Sequence, residues 1–201
     1  LRYNMVKKVS KSDKINERIS KAISDLDNKE FTMYFFIADS RNIPNPHMQY
    51  IYQMALETHN KGYRVCMLYQ LDNEYTKEEL DELNKDNQFV DQTRVFIGVK
   101  EWLGEEYGVL EHLNISLGTW TVGPSDFLFI PEAFSSMMFQ TYKHNVPCKR
   151  FVIVQNEDYV TDMIPLGIEW GDYGIMDAIC STDFQKTNIT RYFPYLRTKV
   201  L

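Results

Sequence analysis

The sequence of 201 residues contains three cysteines and no closely spaced cysteine or cysteine–histidine pair. Cys66, Cys148 and Cys180 are too far apart for a zinc site and too few for a disulfide framework. We therefore expect no bound metal. Three free thiols are typical of a reducing compartment, and a cytoplasmic location is predicted on that basis.

Long apolar runs, a basic excess and phosphate-binding glycine motifs are also lacking. No stretch approaches the ~18 apolar residues of a membrane span, and no secretory leader is recognisable. The formal net charge of −6 disfavours a nucleic-acid partner. Neither GxGxxG nor GxxxxGK[ST] occurs, which argues against a nucleotide-binding α/β enzyme of the kinds that carry these motifs. A nucleotide-binding enzyme stays open as a weaker alternative. Because the first residue is Leu1 rather than methionine, we expect a fragment, a trimmed chain or a processed product.

The composition is otherwise that of a folded domain, with 44% hydrophobic and 25% charged residues. Residues 1–30 are polar and lysine-rich, and their apolar residues recur at three- and four-residue spacing, which predicts a surface helix. A domain is predicted over 31–201. Its abundant aromatic side chains are interpreted mainly as core and rim rather than as sugar-stacking platforms.

The first part of this domain predicts a βαβ unit. Phe31–Ala38 is a continuous apolar run, typical of a strand that is buried on both faces. A helix over 47–60 follows, and Gly62 is suited to its left-handed C-cap. A second strand is predicted over 63–69, with a right-handed crossover between parallel strands.

The same alternation of short apolar runs and helical patterns continues along the chain. It predicts helices at 76–84, 101–112, 133–144 and 182–193, and strands at 95–99, 113–122, 127–130, 150–154, 177–180 and from 199 onward. Together these elements predict an α/β fold, a three-layer Rossmann-like domain with a mostly parallel sheet. In such sheets ligands bind beyond the carboxyl ends of the strands.

Polar residues follow the first predicted strand. Asp39, Ser40, Arg41 and Asn42 are candidates for binding an acceptor hydroxyl or a donor phosphate, with Arg41 as the anion partner. A plain polar turn is the alternative. His47 begins the next helix, where it is a candidate base or phosphate contact; a solvent-facing helix start is the alternative.

Polar residues also follow the later strands. Glu132 is a candidate base or acceptor for sugar hydroxyls, although a helix dipole alone also favours a carboxylate there. Gln155 and Asn156 carry amides that suit a neutral polyhydroxyl ligand, and capping is the alternative. Ser181 is a further binding candidate, but Ser181 and Thr182 together are also typical of a helix N-cap.

Four segments carry a resemblance to a known family. They are His47–Leu56 followed by Gly62-Tyr63-Arg64-Val65, Ser125-Asp126-Phe127-Leu128-Phe129-Ile130-Pro131-Glu132, Pro147–Asn156 ending in Gln-Asn, and Asp177-Ala178-Ile179-Cys180-Ser181-Thr182-Asp183-Phe184. In order and pattern they resemble the N-terminal, acceptor-side half of a GT-B glycosyltransferase, over roughly residues 31–201.

The resemblance implies transfer of a hexose from a nucleotide-sugar to a carbohydrate acceptor, with no cofactor beyond that co-substrate and no metal. It also implies a partner C-terminal domain that holds the donor, without which the 201 residues are expected to be inactive. Two departures stand out. The usual glycine pair after the first strand is replaced by Asp39-Ser40-Arg41-Asn42-Ile43-Pro44, and the donor domain is not within the sequence. A second hypothesis therefore stays open: a non-catalytic GT-B-like binding or structural module in a larger assembly, a viral one included.

Overall fold

The computed structural model describes residues 31–38, 45–70, 103–115, 120–156 and 164–201. The chain divides into two units, Leu1–Glu30 and Phe31–Leu201, and all the described residues belong to the second. The helices predicted at 1–30 and 76–84 and the strand predicted at 95–99 lie outside the described residues.

Seven strands and three α-helices make up the described part of the chain. The strands are β1 Thr32–Ala38, β2 Arg64–Gln70, β3 Glu111–Asn114, β4 Phe127–Pro131, β5 Lys149–Val154, β6 Asp177–Cys180 and β7 Arg197–Val200. The α-helices are α1 Pro46–Asn60, α2 Ser135–Lys143 and α3 Asp183–Tyr192, and short 3₁₀ helices span Glu105–Val109 and Trp170–Tyr173.

The strands form one sheet in the order β3-β2-β1-β4-β5-β6-β7, and every neighbouring pair is parallel. This confirms the predicted α/β, three-layer, Rossmann-like fold. From β1 the chain moves outward to β3 and then returns to the other side of β1 to form β4. The strand order therefore reverses between β1 and β4, which is the kind of position where open α/β sheets bind ligands.

Alternate side chains of each strand enter two different cores, which explains the uninterrupted apolar runs. Tyr34 and Phe36 pack in one core, with buried residues of α2 and α3. Phe35 and Ile37 pack in the other, with the buried stripe of α1. We call these two sides of the sheet the α2–α3 face and the α1 face. Helices on both faces make the three layers.

Both ends of α1 are capped, and the cap at its C-terminal end is the one that was predicted. The side chain of Asn45 accepts hydrogen bonds from the backbone N–H groups of His47 (2.9 Å) and Met48 (3.4 Å), with Pro46 at the first helical position. At the other end Gly62 adopts φ 90° and donates its N–H to His59 O at 2.8 Å. The left-handed position that was predicted for Gly62 is confirmed.

The predictions for 101–122 are wrong in part. The only helical structure described near 101–112 beyond Leu103 is the short 3₁₀ helix Glu105–Val109, and Glu111–Asn114 is strand, so the predicted strand at 113–122 begins earlier. Gly104 has φ 117°, which no α-helix accommodates, so the predicted helix cannot run through it. The position of β3 is set by its pairing with β2. His112 lies within β3 instead of at the end of a helix, and it is only 5% exposed.

For the helix at 133–144 the apolar spacing predicts an inward stripe of Phe134, Met137, Met138 and Tyr142, and the structure differs at the last of these. Met137 and Met138 are buried as predicted, but Tyr142 is 49% exposed. Thr141 takes the third inward position instead. Successive residues of an α-helix are rotated by roughly 100° about its axis, so Tyr142 points away from the core when Thr141 points inward.

Candidate functional site at the carboxyl edge of the sheet

The carboxyl ends of β4, β5 and β6 lie side by side, because Pro131 is in register with Ile153, and Val154 with Cys180. The polar residues that follow these strands are therefore neighbours, as the sequence predicted. Hydrogen bonds join them into one group: Glu132, Gln155, Asn156, Ser181 and Gln185, which we call the edge cluster. The other predicted binding residues, Asp39, Ser40, Arg41 and Asn42, lie outside the described residues.

Glu132 is the most buried member of the edge cluster, with 1% of its surface exposed. Its Oε1 atom accepts two backbone hydrogen bonds, from Gln155 N at 3.0 Å and from Asn156 N at 2.6 Å. Its own N–H donates to Ile153 O at 3.0 Å. The second carboxyl oxygen, Oε2, is buried and has no hydrogen-bond partner in the described parts of the chain. Glu132 thus holds the turn that follows β5.

Burial raises the pKa of Glu132, and the backbone N–H donors of Asn156, Glu132 and Gln155 offset part of that increase. A raised pKa is common among acid–base residues, and equally among carboxyl groups that only have a structural role. Here Oε1 is already occupied by two donors and Oε2 is closed off from solvent. The geometry therefore assigns Glu132 to holding the β5 turn, and its predicted role as a base stays a prediction.

Gln155 connects three elements. Its Nε2 donates to the main-chain oxygen of His47 at 2.8 Å, which ties the β5 turn to the first turn of α1. Its own main-chain oxygen accepts from Gln185 Nε2 at 2.7 Å, which ties the same turn to α3. Gln185 Oε1 in turn accepts from Ser181 N at 3.0 Å. The edge cluster therefore fixes the positions of α1, α3 and two strand ends relative to each other.

Gln185 was not among the predicted site residues, although the sequence carried a signal for it. Thr182 is followed three residues later by Gln185, which is the spacing of a capping box. Thr182 Oγ1 accepts from Gln185 N at 3.2 Å, which confirms the predicted N-cap. The side chain of Gln185 does not bond to the cap residue as in a standard capping box. It reaches Ser181 N and Gln155 O instead.

His47 lies at the start of α1 with an exposed side chain. The main-chain oxygen of His47 accepts from Gln155, which ties it to the edge cluster. Its N–H donates to the helix cap Asn45. Ser181 is half-buried, and its Oγ donates to Val154 O at 3.4 Å. The structure therefore brings His47, Gln155 and Ser181 together, as predicted, through bonds between the elements.

The edge cluster keeps oxygens that can accept hydrogen bonds from a ligand. They include Gln155 Oε1 and Ser181 Oγ, both on half-buried residues, whereas Glu132 Oε2 is closed off from solvent. The cluster itself contains no cation. Acceptor oxygens without a cation match a ligand that donates hydrogen bonds, such as a hydroxyl, better than a phosphate, which only accepts.

No protein-family model, no curated protein and no solved structure matches this chain.

Two aspartates of the motifs that carry the family resemblance lie at the opposite, amino edge of the sheet. Asp126 Oδ1 accepts from Thr32 N and Asp126 Oδ2 from Gly123 N, each at 2.7 Å. Asp177 pairs with Arg197 at 2.7 Å and with Lys149 at 3.6 Å. Both therefore join neighbouring strands, far from the edge cluster.

The described residues offer neither a metal site nor a reactive thiol. Within the described ranges, no group of three or more His, Cys, Asp or Glu side chains could hold a metal ion. Cys66, Cys148 and Cys180 are buried free thiols, and burial raises their pKa to about 12, 11 and 11. Such thiols stay protonated and unreactive near neutral pH. No helix among the described residues is long and apolar enough to cross a membrane.

Proposed function

We propose that this chain is the acceptor-side domain of a GT-B-like glycosyltransferase and that its edge cluster binds a carbohydrate acceptor. The observation that carries the proposal is the pair of half-buried acceptor oxygens at the carboxyl edge, on Gln155 and Ser181, in a cluster that begins after β4, beside the β1–β4 reversal. Sugar hydroxyls donate to such oxygens, and the position is one where α/β sheets bind ligands.

The same observation separates acceptor binding from donor binding. A nucleotide-sugar carries a diphosphate, which calls for cations, helix N-termini or glycine-rich backbone N–H groups. The edge cluster contains no cation and no glycine, and the N-termini of α1 and α3 beside it are already capped by Asn45 and Thr182. We therefore propose that a second, C-terminal domain binds the nucleotide-sugar, and that hexose transfer needs both domains because water must be excluded from the cleft between them.

The experiment is a pair of titrations of the 201-residue chain, followed by backbone amide NMR. One series uses neutral glucose, galactose and mannose oligosaccharides, and the other uses UDP- and GDP-sugars. We expect at least one oligosaccharide to shift the amides of Gln155, Asn156 and Ser181 in a saturable way. We expect no saturable binding of the nucleotide-sugars and no transfer by this chain alone.

A matched pair of variants localises the binding. Ser181→Ala removes a hydroxyl of the edge cluster whose own hydrogen bond is long, so the fold should persist. Ser125→Ala makes the same chemical change at an exposed turn of the amino edge. Oligosaccharide binding should weaken in the first variant and stay unchanged in the second. Saturable binding of UDP- or GDP-sugar to the chain, without oligosaccharide binding, would contradict the acceptor-side assignment.

The intact mass of the natural gene product tests the second domain. A longer product that binds UDP- or GDP-sugar, where the 201-residue chain does not, would support the two-domain enzyme. A product of about this length that binds no nucleotide would contradict the transferase proposal.

The second candidate is a non-catalytic GT-B-like module within a larger assembly, and one observation favours it. Phe139 and Tyr142 project from α2 with 43% and 49% exposure, and both rings contact Tyr173, at 5.9 and 6.1 Å between centroids. Grouped exposed aromatic side chains are common at protein–protein contacts. If the natural product binds neither class of ligand but co-purifies in a complex that Phe139→Ser disrupts, this candidate replaces the enzyme.

A further inference from the structure

A groove of about 220 Å³ lies on the α2–α3 face of the sheet, toward the amino ends of β1, β2 and β3. It is distinct from the edge cluster, which lies at the carboxyl ends of the strands. Side chains of three adjacent strands line it because Tyr34 is in register with Cys66, and Cys66 with Glu111. Thr121, from the segment that precedes β4, completes the wall. The groove is therefore built from three hydrogen-bonded strands at one side of the sheet rather than from a surface loop alone.

The groove has an uncharged floor and a charged mouth. The floor residues Tyr34 and Cys66 are almost fully buried, and Leu113 is partly buried beside them. Burial, with a smaller contribution from Asp126, raises the pKa of Tyr34, and burial raises that of the Cys66 thiol to about 12, so both stay neutral. At the mouth are Arg64 and Glu111, whose side chains are 62% and 59% exposed.

Arg64 and Glu111 meet through a single contact, Nη2 to Oε2 at 3.4 Å. The other guanidinium N–H donors and the other carboxylate oxygen have no partner among the described residues. An exposed pair with one long contact contributes little to stability. Both side chains therefore retain hydrogen-bonding capacity at the same mouth, with opposite charge.

We infer that this groove binds a free α-amino acid with an apolar side chain. Its carboxylate would pair with Arg64, its ammonium with Glu111, and its side chain would cover Cys66 and Leu113. A simple acid would meet the charge of Glu111, and a simple amine would meet that of Arg64, whereas a zwitterion matches both charges of the mouth. The size agrees, since 220 Å³ lies below the roughly 300–1,000 Å³ of pockets that hold drug-sized ligands.

The test is an amide NMR titration of the full chain with three probes of one shape: L-leucine, 4-methylpentanoate, which lacks the ammonium group, and 3-methylbutylamine, which lacks the carboxylate. L-leucine should shift the amides at the amino ends of β1, β2 and β3 in a saturable way. Each analogue should bind at least about tenfold more weakly, because each leaves one charge of the mouth unmatched.

Variants at exposed positions complete the test. Arg64→Gln and Glu111→Gln should each weaken L-leucine binding by about fivefold or more, and Thr121→Trp should block the groove. The control Arg197→Gln removes a comparably exposed, ion-paired arginine from β7 and should change nothing. The inference is overturned if L-leucine gives no saturable shifts in the groove, if either analogue binds as tightly, or if Arg64→Gln behaves like Arg197→Gln.

Discussion

Replacing Glu132 by glutamine and by alanine separates its role as a hydrogen-bond acceptor from any need for its charge. Both backbone donors, Gln155 N and Asn156 N, converge on the single atom Oε1. A glutamine amide oxygen can accept both of these bonds in the same place, while its NH₂ group occupies the position of Oε2. Alanine provides no acceptor and leaves a small cavity.

The expected magnitudes follow from burial. In Glu132→Ala, two backbone N–H groups lose their partner. Each unsatisfied buried group costs about 1–3 kcal/mol, so a loss of roughly 2–6 kcal/mol in the free energy of unfolding is expected. In Glu132→Gln the hydrogen bonds persist, and the change near pH 5 should stay below about 1 kcal/mol. These values hold for a side chain that is 1% exposed.

The pH dependence of the free energy of unfolding gives a second test, because its direction is predicted. Burial raises the pKa of Glu132 above its ordinary value. The folded state therefore holds this proton more tightly than the unfolded state, and that advantage is lost as pH rises through the raised pKa. Glutamine does not titrate. The stability of Glu132→Gln relative to the native protein should therefore increase from about pH 5 to about pH 8, by about 1.4 kcal/mol for each unit by which the pKa is raised.

The assay is urea unfolding followed by tryptophan fluorescence at both pH values, with the slope against denaturant compared between variants. Glu57→Gln is the matched control, because Glu57 is an exposed glutamate of α1, and its effect should stay within about 0.5 kcal/mol at both pH values. If Glu132→Gln destabilises as much as Glu132→Ala, or if its difference from the native protein does not vary with pH, the role argued for Glu132 is wrong.

Two further predictions concern other buried polar groups. Burial lowers the pKa of His112 to about 4. Its Nδ1 bonds to Leu110 O at 2.9 Å and its Nε2 to Tyr52 OH at 3.1 Å. The buried neutral ring therefore stabilises the fold fully above about pH 6.5, the ordinary pKa of histidine. That stability should fall by up to about 3 kcal/mol as pH drops from about 6.5 to about 4, and a His112→Gln variant that unfolds with the same pH slope in urea would refute this. Both oxygens of Asp126 accept backbone N–H groups, and an asparagine amide offers only one acceptor. Asp126→Asn should therefore destabilise the protein almost as much as Asp126→Ala, by roughly 2–4 kcal/mol in thermal or urea unfolding. An Asp126→Asn variant of native stability would contradict this prediction.

The sheet could be predicted from the sequence because its signals are local and strong. The runs 33–37 and 151–154 are apolar without interruption, which fits strands buried on both faces, and Gly62 marks a helix end that needs positive φ. The bounds of β3 were wrong because four residues, Glu111–Asn114, carry little periodicity. Its position depends on pairing with β2, a contact between residues distant in sequence.

The edge cluster could be located but not interpreted from the sequence. Strand ends alone predicted that Glu132, Gln155 and Ser181 would be neighbours. Which atom bonds to which could not be predicted, because Gln155 reaches His47 across more than a hundred residues and Glu132 uses one oxygen for two donors. The burial of His112 likewise depends on Tyr52, which lies on a different element.

The segment Asp126–Glu132 supplied much of the family resemblance, and in the structure its two carboxylates have a role in holding the sheet together. Asp126 fixes the start of β4 to the start of β1 through Thr32 N, and Glu132 fixes the end of β4 to the turn after β5. One central strand is thus held to both neighbours, at opposite ends, by the carboxylates that bracket it. Any open α/β sheet with this strand order gains from such an arrangement, whether or not it binds a ligand. The motif is therefore informative about fold, and the case for an acceptor site depends instead on the unused oxygens of Gln155 and Ser181.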